Sequence, residues 1–396
     1  MQINKPDNTL QNISVGSKEI NAARVAFFLP GFVISTWAPM IPMVKARLKL
    51  EADVLGRLLL CIGISAFIFM PLAGALVQRF GCKKVVITGA TLMALISVLL
   101  SCLPNIWSYA IALAFFGAVM GATDVSMNTN AVIVEKLAGR RLLSGMHAFW
   151  SIGCFASAGL FSVLASSGSN VTLIATLHCA IVLALLAVFG RHLLDYKIPG
   201  GEKAFAIPRG IVIVLGILAC ISFLVEGAVM DWSGVLLTEV KNMDIALAGT
   251  GYAIFSVAML IMRLLGDKTV QFLGEQKAVI GGSIVTAAGF ALVVVLDNLY
   301  LNAFAFILIG LGCTNIVPVF YSLLKYQKGM PISAAVTSVT SLGYTGVILG
   351  PALLGFVAHG INISAVFELV ALLLVIEAGI ATVSYTHLTL PTNSRV

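Results

Sequence analysis

Long apolar stretches alternate along the chain with short breaks at Lys, Arg, Asn, Gly and Pro. A helix needs about twenty such residues to cross a hydrocarbon core of roughly 30 Å. By that measure there are twelve spans, at 22–44, 54–77, 84–103, 106–134, 146–168, 171–190, 209–230, 246–266, 276–296, 299–325, 333–358 and 363–383. The runs are continuously apolar and lack period-two alternation, so they predict helices and not the strands of a barrel. The expected fold is an all-α integral membrane protein of twelve transmembrane helices.

Composition agrees with that pattern. Of 396 residues, 59% are hydrophobic and 10% charged, with a mean hydropathy of +1.03. Soluble domains carry about a quarter of their residues as charged side chains. No long polar stretch breaks the pattern, which excludes soluble enzymes, nucleic-acid binders and secreted disulfide scaffolds together. The seven cysteines, Cys61, Cys82, Cys102, Cys154, Cys179, Cys220 and Cys313, are scattered, mostly within apolar runs, with no C-x-x-C pair. They read as small hydrophobes. The first apolar run is too long for a signal-peptide core and follows an Asn-rich polar segment, so it is expected to stay as an anchor.

The net charge of +7 has a topological reading. With the N-terminus cytoplasmic, the inner side receives Lys18, Arg24, Arg79, Lys83, Lys84, Lys136, Arg140 and Arg141, then Arg191, Lys197, Lys203, Arg209, Lys268, Lys277, Lys325 and Lys328. The outer side receives Lys45, Arg47, Lys49, Arg57 and Lys241. This asymmetry satisfies the positive-inside rule for a bacterial-type inner membrane. The basic first outer loop is the one exception, for which the sequence offers no reason.

The halves resemble each other. Span 2 ends in PLAGALVQRFGCKK and span 8 in MRLLGDKTVQFLGEQK; setting Gly81 on Gly274, 193 residues apart, pairs Gln78 with Gln271 and Lys84 with Lys277. Parallel six-helix repeats predict two pseudo-symmetric bundles with a cavity between them. The expected organisation is a cytoplasmic segment 1–21, a first bundle 22–190, a central cytoplasmic loop 191–208, a second bundle 209–383 and a tail 384–396. That tail, SYTHLTLPTNSRV, breaks the hydrophobic pattern and resembles a translated cloning adaptor, so it is set aside as non-native.

Twelve spans, a central loop and the G-x-x-x-Q-R-x-G-x-K-K segment between spans 2 and 3 together resemble the major facilitator superfamily of secondary transporters. The family's loop motif usually has Asp where this chain has Gln78. The resemblance implies that Gly74, Gln78, Arg79, Gly81, Lys83 and Lys84 form a cytoplasmic gate that latches the outward-facing state, with an amide in place of the carboxylate. Span 4 reads GAVMGATDVSMNTNAVIVEK. Its D-x-x-x-N pair, Asp124 and Asn128, resembles the E-x-x-x-N of fucose-permease-like sugar/proton symporters, and Asn315-x-x-Pro318 is similar to the Pro-interrupted span 10 of that group. The segments EGAVMDWSG and SLGYTGVILGP look like a branch of the superfamily close to those permeases. The likeness implies that Asp124 is the proton-coupling carboxylate.

A carboxylate at mid-bilayer costs about 2.5–3.5 kcal/mol on insertion scales, so each one needs a reason. Gly117, Gly121, Asp124 and Asn128 share one helical face, with the glycines permitting close helix approach. A face of that kind points into the bundle, where Asp124 could take and release a proton; a buried Asp that only ties helices together is the competing reading. Counted from Tyr109, Asp124 lies ~22 Å along its helix, past the midplane, a depth that suits a proton or gate site better than direct solute contact. Glu226, ~26 Å from Arg209, is expected to line the outer vestibule or the binding site near a break at Gly227. Asp231 and Trp232 follow at the outer end of span 7, where Trp232 suits an aromatic belt or solute contact. Trp37, inside span 1, suits stacking on a sugar ring or plain packing. Arg263 and Asp267, one turn apart, suggest an ion pair at the gate. Asn315 and Tyr344 are polar groups expected at a central cavity, with Gly343, Gly346 and Gly350 marking close packing. Glu368 and Glu377 fall on opposite faces of span 12 and are read as peripheral. His147 and His178 have no companion at ligand spacing and are read as structural.

The function expected from these residues is proton-coupled symport of a small polar solute, a sugar or sugar derivative above others, by rocking of two bundles. Trp37, Asn128, Glu226, Trp232, Asn315 and Tyr344 are the candidate solute-binding residues. No Walker-type phosphate loop is present to suggest ATP drive. A drug or metabolite efflux antiporter is the nearest rival, although span 5 lacks the Gly-Pro signature of antiporters. A membrane sensor of the same fold is a third reading, and a membrane enzyme should show clustered His, Asp or Cys that are not visible. The expected partners are the bilayer, a small solute and protons, with no cofactor, no metal, no nucleic acid and no second subunit.

Overall fold

A computed structural model of the chain describes residues 15–37, 40, 44, 47–49, 52–197, 207–243, 250–327 and 329–389. Lys45, Lys203 and Lys328, much of the central loop and the last seven residues of the tail lie outside this set. Among the described residues no strand occurs, and eleven helices are long and apolar enough to cross a membrane.

The helices follow the apolar runs. They are α1 Ser17–Trp37, α2 Ala52–Phe80, α3 Cys82–Cys102, α4 Ile106–Ala138, α5 Leu143–Ser166, α6 Val171–Phe189, α7 Ile211–Val235, α8 Thr250–Leu273, α9 Glu275–Val295, α10 Leu299–Cys313, α11 Ile316–Leu323, α12 Ile332–Gly360 and α13 Ile363–Thr389. The helix α8, where span 8 was expected, carries Arg263, Asp267 and Lys268 in its second half. Three boundaries differ from the apolar pattern. The expected break at Gly227 is not there: α7 runs through it to Val235 and continues as a π-helical turn, Leu236–Val240. Span 10 divides into α10 and α11 because Pro318 has no N–H for the carbonyl of residue 314 and its ring crowds that carbonyl, leaving Thr314 and Asn315 at the break. Span 12 runs on to Thr389, into the segment set aside as a tail.

The chain divides into two compact units, one comprising residues up to 142 with 146–206 and 331–337, the other comprising Leu143–Gly145, 207–330 and 338–396. The first unit packs α1 to α6 around Leu29, Phe32, Trp37, Met93, Tyr109 and Phe116. Glycines set its closest approaches: a Cβ at Gly117 or Gly121 would strike the α2 backbone at Ile62 or Ala66, and one at Gly31 the backbone of Trp150. The second unit has its own core, with Phe255, Phe290, Phe306 and Phe367 at its centre. There α9 packs against α10 and α13.

The internal repeat is visible as repeated end chemistry. Asn105 caps α4 through the Ser108 N–H at 2.9 Å and Asn298 caps α10 through the Tyr300 N–H at 2.9 Å. Asn170 caps α6 through Leu173 and Asn362 caps α13 through Ala365, both at 2.8 Å. Each satisfies an N–H that the first helical turn leaves without an internal partner. Gly81 and Gly274 precede the third helix of each half with nearly the same backbone, φ 86 and ψ 155 against φ 81 and ψ 160, a region open essentially to glycine alone.

Candidate functional site

In the first unit the polar groups concentrate on the second half of α4, where every residue from Thr123 to Glu135 is buried. Such a stretch must satisfy its polar groups internally. The hydroxyls of Thr123, Ser126 and Thr129 do so by donating to the carbonyls of Val119, Ala122 and Val125, each at 2.7 Å. The Asn128 amide donates to the Asp124 carbonyl at 2.9 Å, and the Asn130 amide to the Leu194 carbonyl at 3.0 Å. Acceptors are left over: the side-chain oxygens of Asn128 and Asn130 are buried with no partner among the described residues. The Asp124 carboxylate, 9% exposed, likewise has neither a hydrogen bond nor an ion pair among them. Asp124 and Asn128 are one turn apart and so present their oxygens on one face, the face on which Gly117 and Gly121 press against α2.

The segment between α2 and α3 is anchored within the same unit. The Cys82 N–H donates to the Tyr196 carbonyl at 2.8 Å, and Lys83 Nζ donates to the Arg191 carbonyl at 2.7 Å. A Cβ on Gly81 would meet the Asp195 carboxylate. Gly74 is buried, Gln78 half-buried and Lys84 exposed, and the Arg79 guanidinium lies 5.2 Å from the centre of the Phe80 ring. Trp37 is 3% exposed, with its ring 5.7 Å from that of Tyr109, a core position that leaves no open face for a solute. His178 bonds the carbonyls of Ile174 and Ser157 at 2.9 and 3.2 Å, a structural role, and His147 packs edge-on against Phe27.

In the second unit a polar column crosses the helices. The Arg263 guanidinium lies 3.6 Å from the Glu226 carboxylate, an intramembrane pair that offsets the cost of two charges away from water. One turn before Glu226, Phe223 meets Tyr344 edge to face at 5.8 Å. One turn beyond Arg263, Gly266 faces the Asn315 side chain, where any Cβ would collide. The Asn315 side-chain oxygen accepts from Ser144 Oγ at 2.9 Å. The Asp267 carboxylate accepts from the Ser144 and Gly145 N–H groups at 3.0 and 2.9 Å, an anion at the opening turn of α5, where the backbone dipoles favour it. Arg263 and Asp267, which the sequence suggests as a pair, each carry a further contact, Arg263 with Glu226 and Asp267 with the Ser144 and Gly145 N–H groups. Trp232 is half-buried beside Gly355, and Asp231 is exposed. Gly343 and Gly346 bring α12 against Phe223 and the Cys220 carbonyl.

Three findings lay beyond the sequence reading. Glu377 is not peripheral: it is wholly buried and accepts from Ser222 and Ser283 at 2.8 and 3.0 Å. Nine residues separate it from Glu368, which puts one of the two inside, and the pattern does not say which. Glu135 takes the Leu142 N–H at 2.9 Å with Arg141 4.0 Å away. Arg47, in the basic segment between α1 and α2, donates to the Leu100 and Ser101 carbonyls at the end of α3.

Residues 25–342 match the model of the Major Facilitator Superfamily. An uncharacterized MFS-type transporter of Yersinia pestis is 39% identical over 94% of this chain and 97% of its own length. Membrane protein MosC of Rhizobium meliloti is 28% identical over 95% of this chain and 93% of its own. Among solved structures, the fucose:proton symporter FucP of E. coli superposes with a TM-score of 0.73, covering 92% of this chain and 98% of that one, at 14% identity. At that identity the likeness concerns the fold.

Proposed function

This chain belongs to the major facilitator superfamily, and from that membership we propose that it is a proton-coupled secondary transporter of a small polar solute, with a sugar or sugar derivative as the favoured cargo. The observation that carries the proposal is the buried Asp124 carboxyl with no partner among the described residues. A carboxyl in such surroundings is stable only when neutral or while paired with a cation. A group that must gain a proton to stay buried and can lose it on contact with water is what coupling requires. Asn128, one turn on, supplies a free acceptor oxygen beside it.

In this reading the chain works by alternating access. The N-terminus is cytoplasmic, on the side of Lys83, Lys84, Lys136 and Arg140. Asp124 takes up a proton from the outside, the neutral form permits the change of access, and release to the cytoplasm resets the cycle. Asn128, Glu226, Asn315 and Tyr344 are the proposed solute contacts. The fold likeness to a fucose:proton symporter supports the choice of cargo, and D-x-x-x-N in α4 supports the choice of proton site.

The test is pH recording in proteoliposomes against a panel of neutral sugars, sugar derivatives and small acids. Proton uptake that starts on addition of one class of solute supports symport and names the class. Proton release on solute addition supports the efflux antiport reading instead. Silence across the panel from folded protein contradicts proton coupling.

A further inference from the structure

Glu377 is a titratable group that the transport cycle above does not use. It lies on α13 with no exposed surface, and its two oxygens meet hydroxyls from two other helices, Ser222 of α7 at 2.8 Å and Ser283 of α9 at 3.0 Å. No ion pair and no further hydrogen bond reaches it among the described residues. The elements packed against α13 are α7, the π-helical turn and α9. Their titratable or charged side chains are Cys220, Glu226 and Asp231 on α7, Glu239 on the turn, and Glu275 and Lys277 on α9. The two with mapped ion partners point elsewhere: Glu226 faces Arg263, and Glu275 lies 4.0 Å from Lys325. The Cys313 thiol of α10 also lies within electrostatic reach of Glu226, Arg263 and Glu377.

A carboxylate enclosed by protein needs a cation or several strong donors to offset lost hydration. Two serine hydroxyls and no cation fall short of that. A carboxylic acid fits the same contacts without the charge: the proton on one oxygen donates to one serine, and the other serine donates to the remaining oxygen, so both contacts are kept. We propose that Glu377 is a proton-binding site of the second unit, occupied while α7, α9 and α13 are packed together and exchanging when α13 separates from them. The site is distinct from Asp124, which lies in the first unit, and it stands whether or not Asp124 couples transport.

Infrared spectroscopy of the intact protein in lipid at neutral pH reads this directly through the C=O stretch of protonated carboxyls, with H2O and D2O samples to identify the exchangeable band. The wild type and Asp124→Asn are expected to show a band that Glu377→Gln lacks. Ser222→Ala with Ser283→Ala should keep the band and move it to higher frequency, because the C=O then loses its donor. An unchanged band in folded Glu377→Gln overturns the proposal. If Glu377→Gln does not fold, a double serine variant whose band stays where it was overturns it equally. Loss of a band in Asp124→Asn alone would bear on the Asp124 reading and leave this site to be judged on the Glu377 variants.

Discussion

Arg47 and Lys241 do the same work in the two halves of the chain. Arg47 donates to the Leu100 and Ser101 carbonyls at the end of α3, and Lys241 Nζ donates to the Val294 carbonyl at the end of α9 at 2.6 Å. The two places correspond under the alignment of Gly81 on Gly274. Cations at a helix C-terminus satisfy carbonyls that the last turn leaves open and meet the negative end of the helix dipole. Both cations are therefore held by contacts within the fold. Lys241 also lies 2.8 Å from Asp297, but that carboxylate is 88% exposed, so the ion pair adds little.

Lys241→Met should lower stability by about 1–2 kcal/mol, the range for a partly buried cation at a helix end, while Asp297→Asn should change it by less than about 0.5 kcal/mol. Thermal unfolding in detergent compares the two. Equal effects would mean that the ion pair, and not the helix end, is what Lys241 serves.

Gly81 and Gly274 share a backbone conformation but differ in surroundings. A Cβ at Gly81 meets Asp195 and the Tyr196 backbone, whereas one at Gly274 meets nothing within 4 Å. Gly274→Ala should cost the backbone strain alone, of order 1–3 kcal/mol. Gly81→Ala should cost more and should loosen the link from α3 to the segment after α6. Limited proteolysis near residues 190–197 and the unfolding temperature check both points.

Glu226 and Arg263 should behave as a coupled pair. Removing one partner leaves a charge in the membrane without its neighbour, at a cost of several kcal/mol when the pair is well buried. The Glu226 side chain is 32% exposed, so the lower end of that range applies. Glu226→Gln and Arg263→Gln should each lower the unfolding temperature by more than the double variant does. The interaction energy from that cycle should fall within about 0.5–3 kcal/mol; additive effects would show that the two groups act independently.

The helices were legible in the sequence because each apolar run is long and ends at a charge, Asn, Gly or Pro. The break before Ile316 was legible too, since Pro318 cannot continue a helix without loss. The extension of α7 past Asp231 and Trp232 was not, because polar and aromatic residues at a helix end read as an interface whether or not the helix stops. Asp124 could be placed on a face with Gly117 and Gly121 from spacing alone. Glu377 could not be placed, since Ser222 and Ser283 are far away along the chain and helical periodicity separates it from Glu368 without saying which is inside. The same limit hid Arg47 and Lys241, whose partners are backbone carbonyls that leave no mark in a sequence.

The proton role of Asp124 is tested most directly by comparing Asp124→Asn with the wild type in two assays on the same proteoliposomes, once the solute class is known. One is accumulation driven by a proton gradient, and the other is counterflow of labelled solute at zero gradient, which requires solute binding and the change of access but no net proton movement. The account predicts that Asp124→Asn loses accumulation and keeps counterflow. Gradient-driven accumulation by Asp124→Asn at the wild-type level would contradict it.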